Sequence, residues 1–149
     1  MRMGLSCGAI LRSVLAIAII GVCLVVLSCN SATNIELAEQ GVILFHSQLD
    51  AEQYHTIYVE ASEEFHKGGS EAEFLTVAQA IHRKLGRIQS SALKASQTQW
   101  LAGTGTIVTL FYDTQFASGK GTEKFMWRVT DNHVILVGYY IKSDDLIAK

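Results

Sequence analysis

A β-hairpin is predicted by residues 122–142, TEKFMWRVTDNHVILVGYYIK. Apolar and polar side chains alternate from Phe125 to Val129, which is typical of a strand with one buried face. Asp131 and Asn132 follow, and both residue types tolerate the positive φ of a two-residue hairpin turn. A second strand from His133 to Lys142 completes the hairpin. The carboxyl-terminal half of the chain is therefore expected to form an antiparallel sheet.

The chain before the hairpin also has a period of two. Ile88 to Ser91 and Leu93 to Gln99 are weak strand signals, and Gly103-Thr104-Gly105 is a turn signal. Thr106 to Phe116 predicts a long strand, and a loop over Ala117 to Gly121 leads to the strand that starts at Thr122.

Three amphipathic helices are predicted before the sheet, each with one narrow apolar stripe. The first is expected over about Asn34 to Gln48, behind a capping box made by Thr33 and Glu36. The second is expected from a cap at Asp50 to Gly68, and the third from Ser70 to Leu85. Helices first and strands after predict an α+β fold, with the helices on one face of a curved antiparallel sheet.

The first 28 residues have the layout of an export signal. Arg2 and Arg12 supply positive charge, and Ser13 to Leu27 is an uncharged apolar run. A membrane-spanning helix needs about 20 apolar residues, so this run is short for one, although hydropathy leaves an uncleaved helix open as the alternative. Without this segment, ten of the twelve Lys and Arg residues remain against fourteen Asp and Glu, a formal charge of −4. Such a domain has no basic surface for nucleic acid.

The stretch Val26-Leu27-Ser28-Cys29-Asn30 resembles a lipobox, the site at which bacterial lipoproteins are lipidated and cut. Val26 and Ser28 stand where the pattern prefers Leu and a Gly or Ala. The resemblance implies cleavage before Cys29 and acyl chains on its sulfur and amine. With Asn30 rather than Asp directly after the cysteine, the stretch is similar to that of lipoproteins sent on to the outer membrane. Residues 1–28 are thus expected to be a signal peptide, 29–33 a lipidated cysteine with a short tether, and 34–149 one domain at the periplasmic face of that membrane.

Several short motifs resemble the nuclear transport factor two-like cone fold. They are Arg83-x-x-Gly86 ending the third helix, Phe116 closing a long strand, Glu123 near the start of the next, and Gly138-Tyr139-Tyr140-Ile141 in the last. The order of elements looks most like small exported bacterial proteins of that superfamily whose function is undescribed. The resemblance covers about residues 35–141. Because this fold carries isomerases, dehydratases and hydrolases as well as non-catalytic modules, the resemblance leaves the activity open.

Glu123 is the carboxylate that the alternation places among apolar neighbours, beside Phe125 and Trp127. A two-residue turn would put Tyr140 opposite it, and Arg83 is the one cation that could pair with it. Asp113 falls on the opposite face of its strand and is a weak candidate base. The predicted ligand pocket consists of Glu123, Tyr140, Tyr112, Trp127 and Phe125.

The histidines do not predict a metal or cofactor site. They lie beside the helical stripes or at a hairpin end, where we expect them to be solvated, and no His or Cys spacing resembles a zinc site. The five positions are His46, His55, His66, His82 and His133.

Three functional hypotheses follow. The leading one is a non-catalytic module, tethered to a membrane by lipid, that binds a small apolar ligand or an envelope protein. The first alternative is a lipid-tethered enzyme that uses Glu123 and Tyr140 in acid–base chemistry. The second is a structural homodimer that pairs through the outer face of the sheet, where Ile107 and Phe111 would lie.

Overall fold

The computed structural model describes residues 32–148. The predicted export signal and Cys29 lie outside the described residues. From Asn34 onward the chain forms one compact unit. The elements are helix α1 (32–50), α2 (Tyr54–Glu60), α3 (Glu63–Gly68), α4 (Glu71–Leu85), strands β1 (Ile88–Leu101), β2 (Gly105–Phe116), β3 (Gly119–Thr130), β4 (His133–Lys142) and helix α5 (Asp144–Ala148).

The fold is of the mixed α+β class. Helices precede a four-stranded, open, antiparallel sheet with the strand order β1-β2-β3-β4. Among residues 32–148, no helix is long and apolar enough to cross a membrane.

The core lies between the helices and one face of the sheet. Each predicted helical stripe contributes to it, because the stripe residues are the ones removed from water. Gly41 in α1 allows the helix to approach β3 closely, since a Cβ there would lie 3.0 Å from the Trp127 ring. The buried apolar residues are Ala38, Val42, Phe45, Leu49, Tyr54, Ile57, Ala61, Ala78, Ile81, Leu85, Val108, Leu110, Tyr112, Phe116, Phe125, Trp127, Val129 and Leu136.

The predicted second helix is in fact two helices. Ser62 ends the first of them by capping α3, since its hydroxyl accepts a hydrogen bond from the Phe65 N–H (3.2 Å). Its own N–H donates to the Leu136 carbonyl in β4 (2.9 Å), which fixes the break against the sheet. The apolar spacing continues across this break, so periodicity alone predicted one helix.

Two predicted caps are wrong and one is confirmed. Helix α1 already includes residue 33, so Thr33 does not cap it. Asp50 ends α1, and its carboxylate accepts from the Ile88 N–H (3.1 Å) instead of capping α2. Ser70 and Glu73 form the expected capping box at the start of α4.

The predicted hairpin turn is confirmed, because Asp131 and Asn132 have φ values of 48° and 64°. The register beyond it is not the predicted one. A β-bulge shifts the pairing between Trp127, which lies opposite Leu136, and Met126, which lies opposite Gly138. The extra residue in β4 moves every later residue of that strand by one position.

The remaining strands extend beyond their predicted limits. The two weak strand signals form one strand, β1, with register irregularities between Ile88 and Ser90 and between Leu93 and Ala95. Every residue of β1 after Ile88 is exposed, so neither face needs to be apolar and the alternation there is weak. Strand β3 starts at Gly119 rather than Thr122, and helix α5 was not predicted.

Candidate functional site

Glu123 points into the core, as the alternation predicted, and its side chain is fully buried. Both carboxylate oxygens accept hydrogen bonds. Tyr139 donates its hydroxyl to Oε1 (2.7 Å), while His46 Nε2 (2.9 Å) and the Thr114 hydroxyl both donate to Oε2. These four residues, which we call the Glu123 network, join α1, β2, β3 and β4.

His46 corrects the prediction that the helical histidines are solvated. Its exposed fraction is 8%, because it lies next to Phe45 on the flank of the α1 stripe. Arg83, the predicted partner of Glu123, is exposed, and the histidine provides the basic partner instead. The described fold therefore does contain a carboxylate–imidazole pair.

The other histidines divide into two groups. His55 and His133 are exposed, as predicted. His66 and His82 are half-buried: His66 bonds to the Tyr58 carbonyl (2.7 Å), and His82 lies 3.7 Å from the Glu52 carboxylate.

Tyr140 is not the tyrosine that meets Glu123. The β-bulge places Ile141 opposite Glu123 and Tyr140 opposite Lys124 on the outer face. Tyr140 is 59% exposed, and the Lys124 ammonium lies 4.3 Å from the centre of its ring. Tyr139 takes the predicted role because the shift of one residue exchanges the two faces of the strand.

The remaining predicted pocket residues fill the interior. Phe125 is surrounded by rings, with centroids 5.1 Å from Phe45, 5.5 Å from His46 and 5.1 Å from Tyr139. Tyr112 and Trp127 are also buried. Trp127 borders a small cavity of about 80 Å³, and its Nε1 has no hydrogen-bond partner. The predicted site is therefore a packed core with a polar network, and not an open pocket.

Burial raises the pKa of three tyrosines, which are Tyr54, Tyr112 and Tyr139. It raises the pKa of Tyr139 well above the ordinary value of 10, and the charge and hydrogen bond of Glu123 raise it further. Burial, with a smaller contribution from Glu39, raises the pKa of Tyr112 to about 12. Tyr139 thus remains a hydrogen-bond donor to Glu123 throughout the physiological range.

A groove on the surface runs between α3, α4 and β4, and we call it the β4 groove. Its volume is about 270 Å³. Phe65, Phe74, Val77 and Tyr139 supply apolar wall, and Phe65 and Phe74 pack edge to face at 5.5 Å. The other lining residues are Glu64, Gly68, Gly69, Glu73, Val137, Gly138 and Tyr140.

Two carboxylates stand among the residues lining the β4 groove. The pKa of Glu64 is lowered by a hydrogen bond from its own backbone N–H and by Arg128, whose guanidinium lies 2.7 Å away. The pKa of Glu73 is lowered by the backbone and hydroxyl of Ser70. Both groups are therefore ionised at neutral pH.

A second, larger cleft of about 440 Å³ lies at the opposite end of the sheet from the β3–β4 turn. Its walls are polar and include Thr114, Lys120, Lys142 and Asp145. Among residues 32–148, no group of three or more His, Cys, Asp or Glu side chains could hold a metal ion.

Sequence reasoning missed three members of the Glu123 network. Thr114 shares its parity with Val108, Leu110 and Tyr112, so the alternation did contain that signal. His46 lies four residues after Val42, at the edge of the α1 stripe. Tyr139 could not be found, because nothing in the local pattern marks the bulge.

Comparison with known proteins places the chain in a family. Residues 44–139, from within α1 to β4, match the family described as "Protein of unknown function (DUF4019)". The matched segment contains all four members of the Glu123 network. No curated protein matches the chain. The chain therefore belongs to the DUF4019 family of proteins of unknown function.

Proposed function

We propose that this protein is an exported lipoprotein, held by lipid on Cys29 at the periplasmic face of the outer membrane. Its domain is a nuclear transport factor two-like cone that binds a small apolar ligand and catalyses no reaction. The lipobox resemblance supports the anchor, and the stacking of helices on one face of an antiparallel sheet supports the cone.

We infer that the domain is non-catalytic because both carboxylate oxygens of Glu123 already accept hydrogen bonds. A general base must come within hydrogen-bond reach of a substrate proton. The two oxygens of Glu123 already accept from Tyr139, Thr114 and His46, and none of the cavities described above is bordered by the carboxylate. The network therefore holds α1 against the sheet.

The β4 groove supplies the binding site. Ligand pockets are typically apolar clefts of about 300–1,000 Å³ with a few polar groups, and the groove has this character at a volume just below that range. Arg128 compensates the charge of Glu64. The ionised Glu73, which is bonded to the neutral Ser70, is therefore the carboxylate that disfavours an anionic ligand. We therefore assign the groove to a small apolar molecule whose polar end is neutral or cationic.

The experiment compares two exposed valines. Val77 lines the β4 groove, and Val59 on α2 does not. We expect Val77→Asp to weaken binding of the neutral fluorescent probe N-phenyl-1-naphthylamine by about tenfold or more, since a charge in an apolar wall must lose its hydration. Val59→Asp should bind as the wild type does. If the two variants bound the probe with equal affinity, the β4 groove would not be the binding site.

The acid–base alternative has one observation in its favour, which is that His46 and Tyr139 each lie within hydrogen-bond distance of Glu123. Wild-type turnover of a carbonyl or epoxide substrate that is absent in a folded Glu123→Gln variant would establish it.

The homodimer alternative has less support. Ile107 and Phe111 lie in β2, but their β3 neighbours are Arg128 and Lys124. Burying those cations in a sheet interface would cost free energy unless the partner supplied counter-charges.

A further inference from the structure

The amino-terminal end of α1 lies at the end of the sheet that carries the β1–β2 turn and the β3–β4 turn. His46 contacts Glu123, and Gly41 lies against Trp127. Towards its amino terminus, α1 therefore approaches the Thr130 end of β3. The seven residues from Gly41 to Asn34 span roughly 10 Å of helix. The three residues from Trp127 to Thr130 span about 10 Å of strand. Asn34 is therefore nearly level with the β3–β4 turn.

An exposed tryptophan stands at this same end. Trp100 pairs with Thr106, and Thr106 pairs with Val129, which places Trp100 one residue short of the level of Thr130. Its exposed fraction is 71%, and Leu101 beside it is also exposed. Residues 100–106, WLAGTGT, contain no charged side chain. This tip between β1 and β2 thus combines two exposed apolar side chains with neutral polar ones, and carries no charge that would resist entry into a lipid headgroup region.

We propose that Trp100 and Leu101 insert into the interfacial region of the bilayer as a second membrane contact, with the hairpin end of the domain towards the membrane. This inference rests on the proposed lipid anchor. Cys29 precedes Asn34 by five residues, which reach about 17 Å at most. The anchor therefore keeps this end of the domain near the lipid, and tryptophan is the side chain that favours the boundary between hydrocarbon and water.

The two tryptophans of the chain make the test direct. Full-length protein is expressed with its export signal, extracted from membranes and reconstituted in phosphatidylcholine vesicles, and mass spectrometry records the acyl chains on Cys29. Vesicles with brominated acyl chains should quench most of the Trp100 emission, whereas aqueous iodide should quench little of it. Trp100→Phe should abolish the quenched component and leave the emission of Trp127, which is only 6% exposed.

A matched control moves the indole to the far end of the sheet. Ile147 in α5 is 84% exposed, and the neighbouring Asp145 lies against Gly119, about eight strand residues or roughly 26 Å from Trp127. In the Trp100→Phe background, Ile147→Trp should be quenched by iodide and not by brominated lipid.

Each outcome separates the two proposals. Acylated protein whose Trp100 is quenched by iodide alone overturns the orientation and leaves the anchor standing. Brominated-lipid quenching of Trp127 in the Trp100→Phe variant also overturns it, because the α1 face that carries Ile43 and Leu44 would then meet the membrane. Protein without acyl chains on Cys29 overturns the anchor, and the inference with it.

Discussion

At the residue scale, Glu123 determines how the helices are held to the sheet. A fully buried carboxylate loses its hydration, which is costly unless donors replace the water. Three donors from α1, β2 and β4 do so here. Because each donor would itself be left unsatisfied without the carboxylate, the network makes the position of α1 specific.

Two substitutions of Glu123 should have different effects on stability. Glu123→Gln keeps the shape and an accepting oxygen, and should cost about 1–2 kcal/mol. Glu123→Leu leaves Tyr139, Thr114 and His46 without an acceptor, and should cost about 3 kcal/mol or more. Urea denaturation gives the order, and Glu36→Gln on the exposed side of α1 controls for the loss of one charge. Equal losses for Gln and Leu would contradict the role of the hydrogen bonds.

The raised pKa values of three tyrosines predict a loss of stability in alkali. In the folded state the pKa is well above 10 for the half-buried Tyr139, about 12 for Tyr112 and raised for Tyr54, so the unfolded chain releases these protons first. Their contribution is complete below about pH 10 and is lost as the pH rises from there through 12, by about 1.4 kcal/mol per pH unit for each ionising group.

Tyr139→Phe tests this pH dependence. The variant should be less stable at pH 7, because Glu123 loses a donor, but its stability should fall less steeply between pH 10 and 12. Tyr140→Phe, which removes an exposed phenol, should follow the wild-type curve. Urea denaturation at each pH measures both, and identical alkaline slopes in Tyr139→Phe and wild type would show that Tyr139 ionises freely.

At the element scale, the contact between α1 and β3 depends on Gly41. In most helix interiors a Gly→Ala change is favourable by about 0.5–1 kcal/mol. At Gly41 the new methyl group would lie 3.0–3.1 Å from three ring atoms of the buried Trp127. The indole has little room to move, so the steric cost should exceed the gain in helix propensity.

Gly41→Ala should therefore lower the melting temperature, by an amount equivalent to about 1–2 kcal/mol. Gly68→Ala is the matched control, because it ends α3 with no atom within 4 Å of the added Cβ. Calorimetry of both variants measures the difference. A rise in melting temperature for Gly41→Ala would mean that Trp127 adjusts at little cost.

At the scale of the whole molecule, the proposed anchor determines where the domain works. Two or three acyl chains bind a bilayer far more firmly than one, since each buried CH₂ contributes about 0.8 kcal/mol. A tether of a few residues would keep the hairpin end of the domain close to the membrane surface, with the β4 groove farther along the sheet.

If the proposed anchor is correct, Cys29→Ser should abolish acylation and leave residues 1–28 uncleaved by the lipoprotein peptidase. Mass spectrometry of the membrane and soluble fractions measures both effects. Ser28→Ala, which moves the site closer to the preferred lipobox pattern, should still be acylated and cut. A lipidated Cys29→Ser protein would show that the chain is divided elsewhere.

The sequence by itself determined the fold class, most of the strand limits, the Asp131-Asn132 turn and the inward direction of Glu123. These features depend on local periodicity and on the φ preferences of single residues, which act over a few positions. The tertiary structure alone decided which side chains meet Glu123. The β-bulge at the Met126–Trp127 pairing exchanged Tyr140 for Tyr139, and the packing of α1 turned His46 inward. Both depend on how separate elements fit together, and a one-residue shift in register changes which face every later side chain occupies.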